Sequence, residues 1–165
     1  MDSKNYYRKK YLIVMRLCGA IVLIVGVFYF FRSYQVAQVY GSSMAPTLEH
    51  QQLVLIHKKQ SPERYDLAVF SNENKLLIKR VIGRPGDSYI RSGNRLLLGG
   101  FDSIDEFSYT ITLSEAIASS LPLQGTIPDH QYFVIGDAIN NSKDSRTFGF
   151  VNIDDFIGSI KPLFP

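Results

Sequence analysis

The hydrophobic pattern divides the chain near residue 35. From Tyr11 to Phe31 every residue is apolar or aromatic except Cys18, the small glycines and Arg16. A helix of about 20 such residues crosses the hydrocarbon core of a bilayer. Arg16 lies near the start of the run, where its apolar stem lets the guanidinium reach back to the headgroups. Tyr11, Tyr29 and Tyr34 suit the interfacial belts at the two ends. Beyond residue 35 the pattern shortens to β-like runs divided by turn residues. Gln35–Tyr40 alternates in part, Leu53–His57 is apolar, and Asp66–Phe70 follows the turn Ser61-Pro62-Glu63-Arg64. Leu76–Ile82 is the most apolar strand and ends at Gly83-Arg84-Pro85-Gly86-Asp87. Ser88–Arg91 and Arg95–Leu98 flank a hairpin turn at Ser92-Gly93-Asn94, and Tyr132–Ile135 and Phe156–Ile160 are late strands. Thr112-Leu113-Ser114-Glu115 fits a capping box, which predicts a short helix over Leu113–Leu121 ended by Pro122. Strands this short and frequent predict a mainly β fold of antiparallel sheets, preceded by one N-terminal transmembrane helix.

Charge gives that helix a direction. Lys4, Arg8, Lys9, Lys10 and Arg16 flank its N-terminal end against Arg32 alone past the other. The positive-inside rule then puts residues 1–10 in the cytoplasm, the anchor at 11–34, and residues 35–165 outside, single-pass in the cell membrane. A cleavable secretory signal is the alternative. The apolar run exceeds a signal core of about 7–15 residues, and Val36-Ala37-Gln38 is a poor cleavage site, so a retained anchor is expected. The composition, with 45% hydrophobic and 20% charged residues, excludes disorder over most of the 165-residue chain. A net charge of +3, with no basic stripe after the anchor, argues against nucleic acid as a partner. Cys18 is the only cysteine, so the domain after residue 35 has neither an internal disulfide nor a thiolate metal site, and no cofactor is expected.

The chemistry centres on Gly41-Ser42-Ser43-Met44-Ala45-Pro46-Thr47-Leu48, a serine between a flexible glycine and a proline. A serine nucleophile needs a base. His50, His57 and His130 lie in no distinctive motif; they are first candidates for a Ser-His-Asp scheme and more ordinary as turn or surface residues. Among the lysines, Lys79 alone has an apolar strand for neighbours, Leu76-Leu77-Ile78 before it and Val81-Ile82 after Arg80. Desolvation there would lower its pKa toward that of a base. A lysine at a sheet edge that discourages aggregation is the competing explanation.

Four stretches carry a resemblance. Ser43-Met44-Ala45-Pro46-Thr47-Leu48 resembles the nucleophile box of type I signal peptidases, Ser-Met-x-Pro-Thr-Leu. Arg64-Tyr65-Asp66-Leu67-Ala68-Val69-Phe70 is similar to their second box, and Lys79-Arg80-Val81-Ile82-Gly83-Arg84-Pro85-Gly86-Asp87 to their lysine box. Gly136-Asp137 with Asn141-Ser142-Lys143-Asp144-Ser145-Arg146 and Gly149 resembles the last one. Four boxes in the family's order behind one apolar segment form a specific pattern.

The resemblance implies an antiparallel β-sheet catalytic domain of the signal-peptidase/LexA-like type that removes signal peptides from exported preproteins after small-x-small, Ala-x-Ala-like sites. It implies Ser43 as nucleophile, Lys79 as general base, and Ser142 as the serine that orients the lysine. The oxyanion would rest on the Ser43 N–H, because Gly41 stands where some relatives place a serine donor. Asp144 and Arg146 match an ion pair that supports the Ser142 loop, and Asp137 a further support. Val39, Met44, Leu48 and Ile78 match or flank the substrate pocket, beside which the extended preprotein would add as a strand. Membrane lipid and a nearby secretion translocon are the other implied partners. Ala138 and Ile139 replace a polar pair of the last box, and the inserted segment at about 99–128 is short, which suggests a compact enzyme with a narrow substrate set such as pilin precursors. A non-catalytic chaperone of secreted or pilus subunits would be expected to lose Ser43 or Lys79. A self-cleaving repressor of the LexA type would need a DNA-binding module where this chain has its apolar segment.

Overall fold

The computed structural model describes residues 3–58, 61–99 and 109–161. It divides into two units, Met1–Gln35 and Val36–Pro165. The first is α1 (Ser3–Ser33), of which Lys10–Ser33 is long and apolar enough to cross a membrane, with a mean hydropathy of 2.5. Its apolar side chains are exposed, Val22 and Phe28 among them. By length and composition it is a candidate membrane span.

The second unit is built from two antiparallel sheets. The larger joins β1 (Tyr34–Gln38), β2 (Leu53–Lys58), β3 (Leu67–Asn72), β4 (Lys75–Gly83), β9 (Gln131–Ile135), β10 (Val151–Asn152) and β11 (Phe156–Lys161) in the order β1-β2-β11-β3-β4-β9-β10. The smaller joins β5 (Ser88–Ser92), β6 (Arg95–Leu98), β7 (Tyr109–Thr112) and β8 (Gln124–Thr126) in the order β7-β6-β5-β8. β11 is thus interior, with Ile160 opposite Ile56 of β2 on one side and Leu67 of β3 on the other.

Turn chemistry sets the registers. Asn72 pairs with Lys75 across Glu73 and Asn74, whose φ values of 49° and 61° form the left-handed pair that a two-residue hairpin requires. Ser92 pairs with Arg95 across Gly93-Asn94, at the turn expected from the sequence. Three apolar clusters fill the unit. One joins the small sheet to Phe133 and Ile135 of β9, a second holds Val39, Met44 and Leu48 with Ile56, Val69 and Ile160, and a third packs Phe70 against Val81 and Val134.

The expected helix over Leu113–Leu121 is shorter. α2 spans Glu115–Ser120, with Ser114 as the N-cap residue that accepts the Ile117 N–H. Thr112 cannot cap it, because its backbone pairs with Arg95 in the β6–β7 ladder. The segment at about 99–128 is more than an insertion: it supplies β7, α2 and β8, and so half the strands of the small sheet. Its residues 100–108 lie outside the described residues, as do residues 1 and 2 of the N-terminal segment.

Candidate active site

Ser43 lies on a loop whose neck is closed by two backbone bonds, Val39 N–H to the Gln52 carbonyl at 2.9 Å and Gln51 N–H to the Val39 carbonyl at 2.8 Å. Inside it, Leu48 N–H bonds the Met44 carbonyl and Ala45 N–H the Ser42 carbonyl. Met44 and Leu48 are buried at 2% and 0% exposure, so the loop is pinned to the core on both sides of its turn. The Ala45–Pro46 peptide is cis. Gly41 has φ +89°, a conformation that favours glycine over any side-chain-bearing residue. That backbone preference gives a physical reason for the missing side-chain donor at this position.

Lys79 is brought to Ser43 by β4, opposite Ala68 of β3. It is 2% exposed, and its Nζ donates to Ser43 Oγ at 2.6 Å. Burial lowers its pKa below the usual 10.5; Asp144 and Asp137 pull it back up, and Arg146 adds to the lowering. Desolvation dominates, and it favours the neutral amine, whose lone pair can take the serine proton.

The segment after β9 clamps this pair from behind. Ala138 N–H donates to the Ser43 carbonyl at 3.0 Å, and Asn141 Nδ2 donates to Ser42 Oγ at 2.9 Å. A Cβ on Gly136 would lie 2.6 Å from the Ser43 carbonyl oxygen and 2.1 Å from Ser142 Oγ, so only glycine lets the two segments meet. The substitution at position 138 leaves this clamp intact because its contribution is a main-chain N–H. Ile139, next to it, is 57% exposed.

Asp144 is fully buried and caps α3 (Ser145–Phe148), accepting from the Gly136 N–H at 3.0 Å and from Arg146 Nε and Nη2 at 2.7 and 2.8 Å. Burial alone would raise its pKa, but the bonds from Arg146 and Gly136, with Ser142 nearby, bring it below the usual carboxylate value. Ser142 Oγ is buried without a well-aligned hydrogen bond to any described residue, Lys79 included. It lies against Gly136 and Asp144, beside the Ser43 carbonyl.

Asp137 is paired with Arg80, through Nε at 2.8 Å and Nη2 at 2.6 Å, and also accepts from Thr47 Oγ1. This fork ties the Ser43 loop, β4 and the last box together. Beside it opens a cavity of about 410 Å³ whose walls include Arg80, Ile82, Tyr109 and Ile139. A second fork holds the turn after β4: Arg64 donates to the Ile82 carbonyl and to Asp87, which also accepts the Arg84 N–H.

The sequence-predicted residues therefore gather in one place. Ser43, Lys79, Ser142, Asp144 and Arg146 adjoin one another directly or through Gly136. Val39, Met44 and Leu48 lie inside the second apolar cluster, and Ile78 is one of the half-buried residues packed against it. Sequence reasoning misses Arg80, Thr47 and Asn141, and weighs His50 only as a catalytic base. Arg80 is visible inside the lysine box; nothing in the sequence signals that His50 Nδ1 accepts the Gly41 N–H, as it does at 3.1 Å.

Residues 11–164 match the family model of signal peptidases, peptidase S26. Signal peptidase I of Bacillus caldolyticus is 32% identical over 141 residues, covering 74% of this chain and 74% of that protein. Signal peptidase IB of Staphylococcus aureus (strain Mu50) is 29% identical over 141 residues, covering 75% of this chain and 74% of that protein. A solved signal peptidase I from Enterococcus faecalis V583 aligns with a TM-score of 0.44 at 28% identity, over 62% of this chain and 98% of that one.

Proposed function

The chain belongs to the signal peptidase family, peptidase S26, and from that membership we propose that it removes signal peptides from exported preproteins by a Ser43–Lys79 dyad, cutting after small-x-small sites. The observation that carries the dyad is the 2.6 Å contact between Ser43 Oγ and the Nζ of a lysine only 2% exposed.

Neutral Lys79 takes the Ser43 proton as Oγ attacks the scissile carbonyl, and the resulting oxyanion rests on the Ser43 N–H. Support for that donor is that the Ser43 N–H has no partner among the described residues while the Ser43 carbonyl is held by Ala138. The C–N bond then breaks, and the Lys79 ammonium gives its proton to the leaving amine. Water follows: Lys79 takes its proton, the hydroxide attacks the acyl ester, and Ser43 Oγ leaves with that proton restored. Ser142 is the serine whose hydroxyl would orient the lysine, with Asp144 and Arg146 fixing its loop.

Val39 and Ile78 flank the two reacting residues and form the wall against which a small substrate side chain fits, with Met44 and Leu48 packed behind as an unyielding backing. A larger side chain would have to displace packed core, which accounts for selection of small residues. α1 anchors the protein with residues 1–10 cytoplasmic and the second unit outside, near the translocon that delivers its substrates; the basic flank and apolar length of the helix support this. The narrow, pilin-like substrate set rests on the short 99–128 segment alone.

The test is cleavage of an Ala-x-Ala preprotein by the purified full chain. Ser43→Ala and Lys79→Ala should each be inactive, a loss on the order of 10⁴-fold or more. Full activity in either variant would falsify the dyad.

A further inference from the structure

The nucleophile loop is closed at its neck by the reciprocal pairing of Val39 with Gln51 and Gln52, and the next contact toward Ser43 is not between two backbones. It runs from the Gly41 N–H to His50 Nδ1 at 3.1 Å. Gly41 has the widest backbone freedom in the loop and no side chain to fix it, and at φ +89° it sets the direction in which the chain leaves toward Ser43. The His50 ring is itself placed: it meets the Tyr40 ring edge-on with centroids 6.1 Å apart, and the Tyr40 hydroxyl donates to Gln38 Oε1 at 3.1 Å. Gln38 in turn donates from Nε2 to the Gln51 carbonyl at 3.1 Å. A chain of contacts therefore runs from the loop neck through Gln38, Tyr40 and His50 to the glycine two residues before the nucleophile.

We propose that His50 is a positioning residue for the oxyanion-binding turn: by holding the Gly41 N–H it aims the Ser43 N–H at the place where the oxyanion forms. The inference rests on the dyad reading. An oxyanion hole with a single backbone donor has no second group to compensate a misdirected one, so its geometry depends on whatever fixes that backbone. The Ala138 bond holds the Ser43 carbonyl; on the approach side Asn141 ties the Ser42 hydroxyl, and His50 restrains the backbone itself at the Gly41 N–H. The imidazole does so through Nδ1 as an acceptor, which leaves its ring proton on Nε2.

The test uses the full chain in detergent with a peptide substrate and with the peptide aldehyde of the same sequence, which forms a hemiacetal oxyanion on Ser43. His50→Ala should lower kcat about tenfold with KM within about twofold, because the misdirected donor is engaged chiefly in the transition state. Aldehyde affinity should fall in parallel with kcat. His50→Asn, whose Oδ1 stands close to where Nδ1 does, should restore most of the loss, whereas His50→Phe, which keeps the ring and lacks the acceptor, should not. An unchanged kcat in His50→Ala, or His50→Phe equal to the unsubstituted protein, overturns the proposal. Should the variants fail to fold, amide exchange on the unsubstituted chain decides: Gly41 N–H should exchange more slowly than Ser42 N–H, and equal rates overturn the proposed bond. Activity retained by Ser43→Ala would overturn the dyad instead, and the exchange comparison would still judge the His50 bond by itself.

Discussion

In the unfolded chain Lys79 is an ordinary ammonium with a pKa near 10.5, whereas burial lowers that value in the folded protein. The unfolded state therefore binds more protons between the lowered value and 10.5, and stability rises with pH through that window. Lys79→Met, which removes the buried amine, should stabilise the protein at pH 7 by on the order of 1 kcal/mol, with the gain shrinking toward pH 10.5. Thermal unfolding of both proteins across pH 7–10 checks this; a gain that grows with pH would contradict it. Gly136 is the opposite case, a residue whose value lies in having no side chain. Gly136→Ala should cost about 1–3 kcal/mol and most of the activity, since its methyl would sit 2.1 Å from Ser142 Oγ and 2.6 Å from the Ser43 carbonyl. At this scale the motifs made Ser43, Lys79 and the Asp144–Arg146 pair legible. His50 was not legible, because its role is to accept one backbone N–H, and no residue pattern reports where a loop's neck will close.

α3 has a single turn, and what holds it is its cap. Asp144 accepts from the Arg146 and Gly136 backbone N–H groups as well as from the Arg146 guanidinium. Breaking that buried pair leaves one charge uncompensated, so Arg146→Met should destabilise by about 3 kcal/mol, measured by urea unfolding. Burial opposes the charged carboxylate, but the bonds from Arg146 and Gly136 hold the Asp144 pKa below 3.8. Its stabilisation is therefore complete above that value and is lost as pH falls through the lower folded one, so the Arg146→Met deficit should narrow in acid. Most strands were legible from period and turn residues, the β5–β6 hairpin to within a residue. The α2 boundary was not. Two plausible caps stood two residues apart, and the ladder partner that claims Thr112 is Arg95, which local pattern cannot see. The same blindness to distant pairing made the 99–128 segment read as a mere insertion.

Over the whole molecule, the proposed topology puts Cys18 within the bilayer and the second unit outside. A membrane-impermeant maleimide should leave the native protein in intact cells unmodified, since Cys18 is the only cysteine. In a Cys18→Ser background, a cysteine introduced by Asp129→Cys, on the exposed stretch before β9, should react from outside. Labelling only after lysis would reverse the orientation. Hydropathy made the long apolar helix legible; the strand order was not, since nothing local says that β11 inserts between β2 and β3. That insertion bears on how the protein is made. β2 follows the loop of Ser43, and β3 leads into the strand of Lys79, so the seam between the two halves of the proposed dyad is closed by a strand translated after all four boxes. Until then the larger sheet lacks its middle, and a nascent chain emerging among preproteins has no assembled site with which to cut its neighbours or itself. A stop codon between Phe150 and Phe156 should therefore yield an inactive, rapidly degraded chain even though every one of the four motif boxes has been translated.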